Sequence, residues 1–172
     1  MPKFQQNDDR VSDGVNLLIS ILVRYPEIGT INYDASNHTI KLTFMLSTIP
    51  SDTEFARLKA TLTSSISAYH VLRETKGAKA DVCLSDCGGV GMLTILRDVP
   101  TLSKGEIALI ITLLRDSLNN KLITDANDAL LEEDLLIQEE VIDNMLANIK
   151  EQYNGNGLIG IREDGRVLVF NK

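Results

Sequence analysis

Three times along this chain a helix-like apolar stripe is followed by two segments with the period-2 alternation of strands, and one further acidic helix precedes the third pair. That rhythm restricts the fold. Strands that come in sequence-adjacent pairs joined by short turns run in opposite directions, whereas a parallel sheet needs a long crossover for every strand. The pattern therefore predicts one α+β domain spanning 1–172, in which three β-hairpins form a mainly antiparallel sheet packed with about four helices. A chain of 172 residues buries roughly 70% of its unfolded surface, which suits a single core. No residue-level repeat accompanies the rhythm, so it is architectural and does not establish duplication.

The elements follow from local signals. The polar stretch 1–11 is expected to be flexible. Ser12 is a candidate cap for a first helix with Val15, Leu18, Ile19 and Leu22 on one stripe, ended by Pro26. Ile31 and Tyr33, then Ile40, Leu42, Phe44 and Leu46, alternate with polar residues around the break Asp34 to His38, a hairpin with a longer loop. Ser51 and Glu54 form a capping box for a second helix carrying Phe55, Leu58, Leu62, Ile66 and Tyr69, with Gly77 as its stop. The second strand pair, 80–85 and 92–98, is joined by Asp86 to Gly91. A third helix opens at the capping box Ser103 and Glu106 and buries Ile107, Ile110, Ile111, Leu114 and Leu118. At the C-terminus, Asp164-Gly165 centres a hairpin over 157–172, with Glu163 facing Arg166, Ile161 facing Leu168 and Ile159 facing Phe170. These last four apolar residues share one face, which is expected to be buried.

The acidic segment 125–152 has the most regular spacing. Leu131, Leu135, Gln138, Ile142, Met145 and Ile149 alternate by four and three, the seam of a heptad pattern with one polar position. These six residues are read as an interface with a second copy of the chain, Gln138 setting its register. Leu130, Ile137, Val141 and Leu146 widen the apolar face, so the helix can cover its own domain on one side and a partner on the other.

Few residues carry recognisable chemistry. Cys87 is the candidate nucleophile, because a Gly-flanked turn exposes it, while Cys83 is expected in a packed strand. Asp86, Gly88, Gly89 and Gly91 are the candidate ligand contacts, since a glycine loop can turn backbone amides toward an anion. A strand follows them, however, and phosphate loops lead into a helix, so a plain hairpin turn with positive φ is the favoured reading. A single Cys-x3-Cys with two histidines elsewhere is a poor zinc pattern, and no metal or cofactor is expected. The carboxylates of 132–143 read as a solvated helix face.

A formal charge of −7 without a basic cluster opposes nucleic-acid binding. The longest apolar run, Ile107 to Leu114, is too short to span a bilayer, and the polar N-terminus lacks the apolar region of a secretory signal. The expected function is that of a non-enzymatic cytoplasmic interaction or regulatory protein acting as a homo-oligomer, a dimer favoured, with a protein partner. The alternative is a small-ligand-binding or enzymatic domain with its site at the Gly-rich loop near Cys87.

Overall fold

The computed structural model describes residues 14–124, 132–152, 157–163 and 166–171, with only the backbone of 132–136, 138 and 151–152. Helix α1 occupies 14–24 of the described residues. It is followed by β1 (Ile28–Asp34), β2 (Thr39–Leu46), α2 (Asp52–Leu72), β3 (Ala80–Cys87) and β4 (Val90–Asp98). A 3-10 turn, Val99–Thr101, leads into α3 (Lys104–Leu118), a second one (Asn119–Lys121) follows, and α4 (Glu132–Gln152), β5 (Leu158–Glu163) and β6 (Arg166–Asn171) complete the chain. The three hairpins share one six-stranded sheet in the order β3-β4-β2-β1-β5-β6, and every neighbouring pair is antiparallel. The α+β arrangement expected from the rhythm is the one present.

Register assigns the faces. Leu42 pairs with Ile95 and with Ile31, Ile31 with Gly160, and Ile95 with Val82, so these side chains share one face. That face also carries Tyr33, Ile40, Phe44, Leu93 and Leu158, and all four helices close over it. Leu17, Leu18, Ile21 and Leu22 of α1, Leu58, Leu62 and Ile66 of α2, Ile107, Ile110, Ile111 and Leu114 of α3, and Ile142, Leu146 and Ile149 of α4 belong to the same cluster. The opposite face has no helix on it among the described residues. It presents Asp81, Cys83 and Ser85 on β3, Met92, Thr94 and Leu96 on β4, Lys41, Thr43 and Met45 on β2, Thr30 and Asn32 on β1, and Ile159, Ile161, Leu168 and Phe170 on β5 and β6.

Several local expectations change in tertiary context. The C-terminal register is as expected, but Ile159, Ile161, Leu168 and Phe170 lie on the uncovered face, with Phe170 52% exposed. The reason is Gly160. Its missing side chain lets Leu18 and Leu22 of α1 sit directly on β5, beside Leu158, which is buried. Arg162 then reaches under α1 and donates to the carbonyl oxygens of Leu22 and Tyr25, acceptors at the end of that helix, and to that of Ile28 at the start of β1.

In α4, Ile142 and Ile149 of the heptad stripe are buried in the chain's own core and Met145 is half-buried against it, so these residues are not a free seam for a second copy. Four-three spacing marks an apolar helix face, and here α3, the turn Val99–Thr101 and the chain's own core cluster supply what covers it. Arg24 of α1 holds the same flank by a 2.8 Å ion pair to Glu139. Leu131 and the side chains of Leu135 and Gln138 lie outside the described residues, as do 1–11, Ser12 and the turn 164–165. Helix α2 stops at Leu72, ahead of Gly77. Arg73 and Glu74 donate back to Tyr69 and Val71, and Glu74 itself takes the left-handed conformation, φ 58°, that the glycine was expected to supply.

Candidate functional site

The feature that composition and motifs leave hidden is a buried charge cluster where β4 ends and α3 begins. Inward positions on β4 run Gly91, Leu93, Ile95 and Arg97, so strand alternation drives a guanidinium into the core at the fourth. Arg97 is 0% exposed and so is Glu106, which α3 presents from its first turn. The guanidinium has five N–H groups and the surroundings provide five acceptors. Nε donates to Glu106 Oε2, Nη1 to the Lys79 carbonyl at 2.6 Å and to Asp98 Oδ1, and Nη2 to Glu106 Oε1 at 2.7 Å and Thr101 Oγ1 at 3.0 Å. Thr101 passes its own proton to Asp98 Oδ2 at 2.6 Å, and the Lys79 amide donates to Asp98 Oδ1 at 2.8 Å.

His70, from the last turn of α2, completes the cluster with Nε2 against Glu106 Oε1 and 3.0 Å from Arg97 Nη2. Because the Arg97 donors already have acceptors, the assignment consistent with them has His70 Nε2–H donating to Glu106. His70 Nδ1 is buried without a hydrogen-bond partner among the described residues. Tyr69 joins from the same turn, its hydroxyl 2.7 Å from Ser103 Oγ, the α3 cap. Ser103 also accepts from the Glu106 amide, the first half of the expected capping box. The second half is replaced, since both Glu106 carboxylate oxygens are directed at Arg97 and His70.

The charges tune one another. Burial works against the Arg97 cation, yet the hydrogen bonds and charges of Glu106 and Asp98 outweigh it and raise its pKa further. Burial likewise disfavours the Asp98 carboxylate, but the bonds from Thr101, the Lys79 amide and Arg97 hold its pKa below the ordinary value. Lys150 of α4 feels the same cluster. Burial and the nearby Arg97 depress its pKa against the opposing pull of Asp143, Asp98 and Glu106. The α4 end is also tied to the sheet through His38, whose Nε2 lies 3.3 Å from the Ile149 carbonyl.

A cleft of about 620 Å³ opens beside the cluster, lined among others by Lys76, Lys79, Leu96, Asp98 and Thr101. Arg97, Asp98 and Thr101 of the cluster all border it, and of the two charged ones Asp98 is the more open, with a side chain 17% exposed against 0% for Arg97. In chemical terms the Arg97–Glu106 pair is closed. A catalytic base or an anion site needs an acceptor or donor left over for substrate, and Arg97 and Glu106 direct theirs at each other and at their neighbours.

The residues singled out from sequence are placed elsewhere. β3 and β4 continue into a two-residue turn, shorter than the expected loop, with Gly88 at φ 66° and Gly89 at φ 90°, the type I′ geometry that needs positive φ twice. The Gly89 amide donates to Asp86 Oδ1 at 2.9 Å, so Asp86 and the glycines serve the turn itself. Gly91 is buried under Leu46. Cys87 pairs across the hairpin with Val90, and both it and Cys83 are exposed free thiols on the uncovered face; a strand whose outer face has no cover leaves Cys83 unpacked. Among the described residues no group of three or more His, Cys, Asp or Glu could hold a metal ion, and no helix is long and apolar enough to cross a membrane.

Arg97 had a signal that motif searching passes over, a charged residue at an inward position of an otherwise apolar strand. Its partners, His70 and Glu106, were legible only as a helix end and a cap. Comparison with protein families, curated proteins and solved structures found no match.

Proposed function

We propose that this chain is a non-enzymatic interaction protein of the cytoplasm that works as a homo-oligomer, a dimer favoured. The observation that carries the reading is the one-sided sheet. Helices cover one face, and on the other Ile159 faces Phe170 and Ile161 faces Leu168 as a contiguous apolar group at the β5–β6 end, Met45, Met92 and Leu96 stand among polar neighbours on β2 and β4, and β3 at the far end carries Asp81, Cys83 and Ser85. An apolar patch at one end of an open face marks association more readily than solvation. The closed wiring of Arg97 and Glu106 supports a structural role for the chain's buried charges, and two exposed thiols left unpaired fit a reducing compartment. The alternative reading, a ligand-binding or enzymatic site at Cys87, gains nothing from a hairpin tip whose aspartate and glycine amide bond each other.

Light scattering across a dilution series tests the proposal. A mass of two chains that falls to one on dilution is expected. A mass of one chain at every concentration up to about 1 mM, beyond which self-association is too weak to organise a protein, refutes it.

A further inference from the structure

The two edges of the sheet are built differently. β3 and β6 end the strand order, and each presents a row of backbone N–H and C=O groups with no neighbouring strand among the described residues. On β3 the sequence Ser85-Asp86 and the outward Asp81 supply the polar and charged side chains that keep an edge single. On β6 there is one charged residue, Arg166, no proline, and the run Val167-Leu168-Val169-Phe170, whose last member is 52% exposed. This second edge lacks those protections.

We infer that β6 pairs antiparallel with β6 of a second copy about a two-fold axis at Leu168, joining two six-stranded sheets into one; the inference rests on the homo-oligomer reading and names its surface. A two-fold axis perpendicular to a sheet keeps every residue on its own face, so residues that meet across it must belong to the same face and the axis must pass through a residue. With Leu168 on the axis, Leu168 meets the partner's Leu168, Val167 meets the partner's Val169, and Arg166 meets the partner's Phe170. Centring on Val169 instead would carry Arg166 past the end of the partner strand.

The arrangement is self-complementary. On the open face the middle row runs Ile161, Leu168, the partner's Leu168 and the partner's Ile161. The row beside it runs Ile159, Phe170, the partner's Arg166 and the partner's Glu163, so each guanidinium lies between an aromatic ring and its own chain's carboxylate, and no like charges face each other. On the covered face Val167 and Val169, half-buried against their own core, extend that core across the junction. Because the strand satisfies its own mirror, the fitting occupant of the edge is a second copy.

Leu168→Lys and Leu168→Glu test it. The position lies on the uncovered face, so each variant is expected to keep the wild-type circular dichroism and a cooperative melt. Each places two like charges opposite one another at the axis, and the dimer dissociation constant should rise at least about tenfold. Mixing the two should restore a heterodimer of near wild-type affinity, an outcome specific to a residue that faces itself. Phe170→Arg, which sets two arginines opposite, is the second variant and should weaken the dimer without unfolding it. A wild-type dimer whose dissociation constant is unchanged by Leu168→Lys and Phe170→Arg overturns the β6 pairing and leaves the homo-oligomer reading standing. A monomeric wild type overturns both.

Discussion

Replacing Glu106 with glutamine removes one charge from the buried cluster while keeping the side chain's shape. The carboxylate receives Arg97 Nε and Nη2 on separate oxygens and His70 on one of them. An amide has one acceptor oxygen, and its NH2 group points a donor at donors. Breaking a buried ion pair from one side generally costs about 3 to 5 kcal/mol, because the other charge stays buried without its partner. Asp98 remains against the guanidinium, and its side chain is 17% exposed, so the stranded cation keeps partial compensation and a loss of about 3 kcal/mol is expected. For a chain of this size that is a fall in melting temperature of roughly 6 to 12 °C. Urea denaturation followed by circular dichroism measures it, and a loss below about 1 kcal/mol would refute the reasoning. The companion variant Arg97→Met, Glu106→Leu, His70→Phe removes the pair whole and should lie within about 1 kcal/mol of wild type or above it, since hydrophobic replacement of a buried ion pair escapes the desolvation cost. The acid side of the stability curve reports on Asp98. Its depressed pKa means that its contribution is complete above the ordinary value of 3.8 and is lost as pH falls below that value toward the folded one.

Gly160→Ala should destabilise by about 1 to 3 kcal/mol, since a Cβ there would lie 2.8 Å from Ile31 Cγ2 and 2.9 Å from Leu22 Cδ1; calorimetry showing no loss would mean that α1 does not sit on β5. Ile142→Glu should abolish the cooperative melt, because the residue is wholly buried in the chain's own core, whereas Ile137→Glu, at a position 58% exposed, should melt within about 0.5 kcal/mol of wild type. A folded, smaller species from Ile142→Glu would return the α4 stripe to an intermolecular role. Cys83 and Cys87 are both exposed, so a thiol reagent should modify the two in native protein at rates within about tenfold of each other, and mass spectrometry showing one protected would place cover on that face of β3.

Neighbouring residues were enough to determine the elements and their pairing. Alternation in β1, β2, β5 and β6, the positive-φ glycines after Asp86, and Ser51 and Ser103 as caps all act within a few residues, and the structure keeps them, down to Glu163 facing Arg166. Which surfaces meet was decided elsewhere. Both faces of the C-terminal hairpin carry apolar side chains, Ile159, Ile161, Leu168 and Phe170 on one and Leu158, Val167 and Val169 on the other, so alternation alone could not choose between them. Gly160 chose, by admitting α1. Helix α4 shows the same ambiguity, because four-three spacing is equally the mark of a helix lying on its own sheet and of one lying on a second copy. Arg97 required the most distant information. A charge at an inward strand position is tolerable only if acceptors arrive from α3, the turn after β4 and the segment ahead of β3, and the matching of that cation to Glu106, Asp98, Thr101 and the Lys79 carbonyl exists only once the chain has folded around it. Local spacing sets which residues share a face; the burial of that face is a property of whatever packs against it, and only long-range contacts supply that.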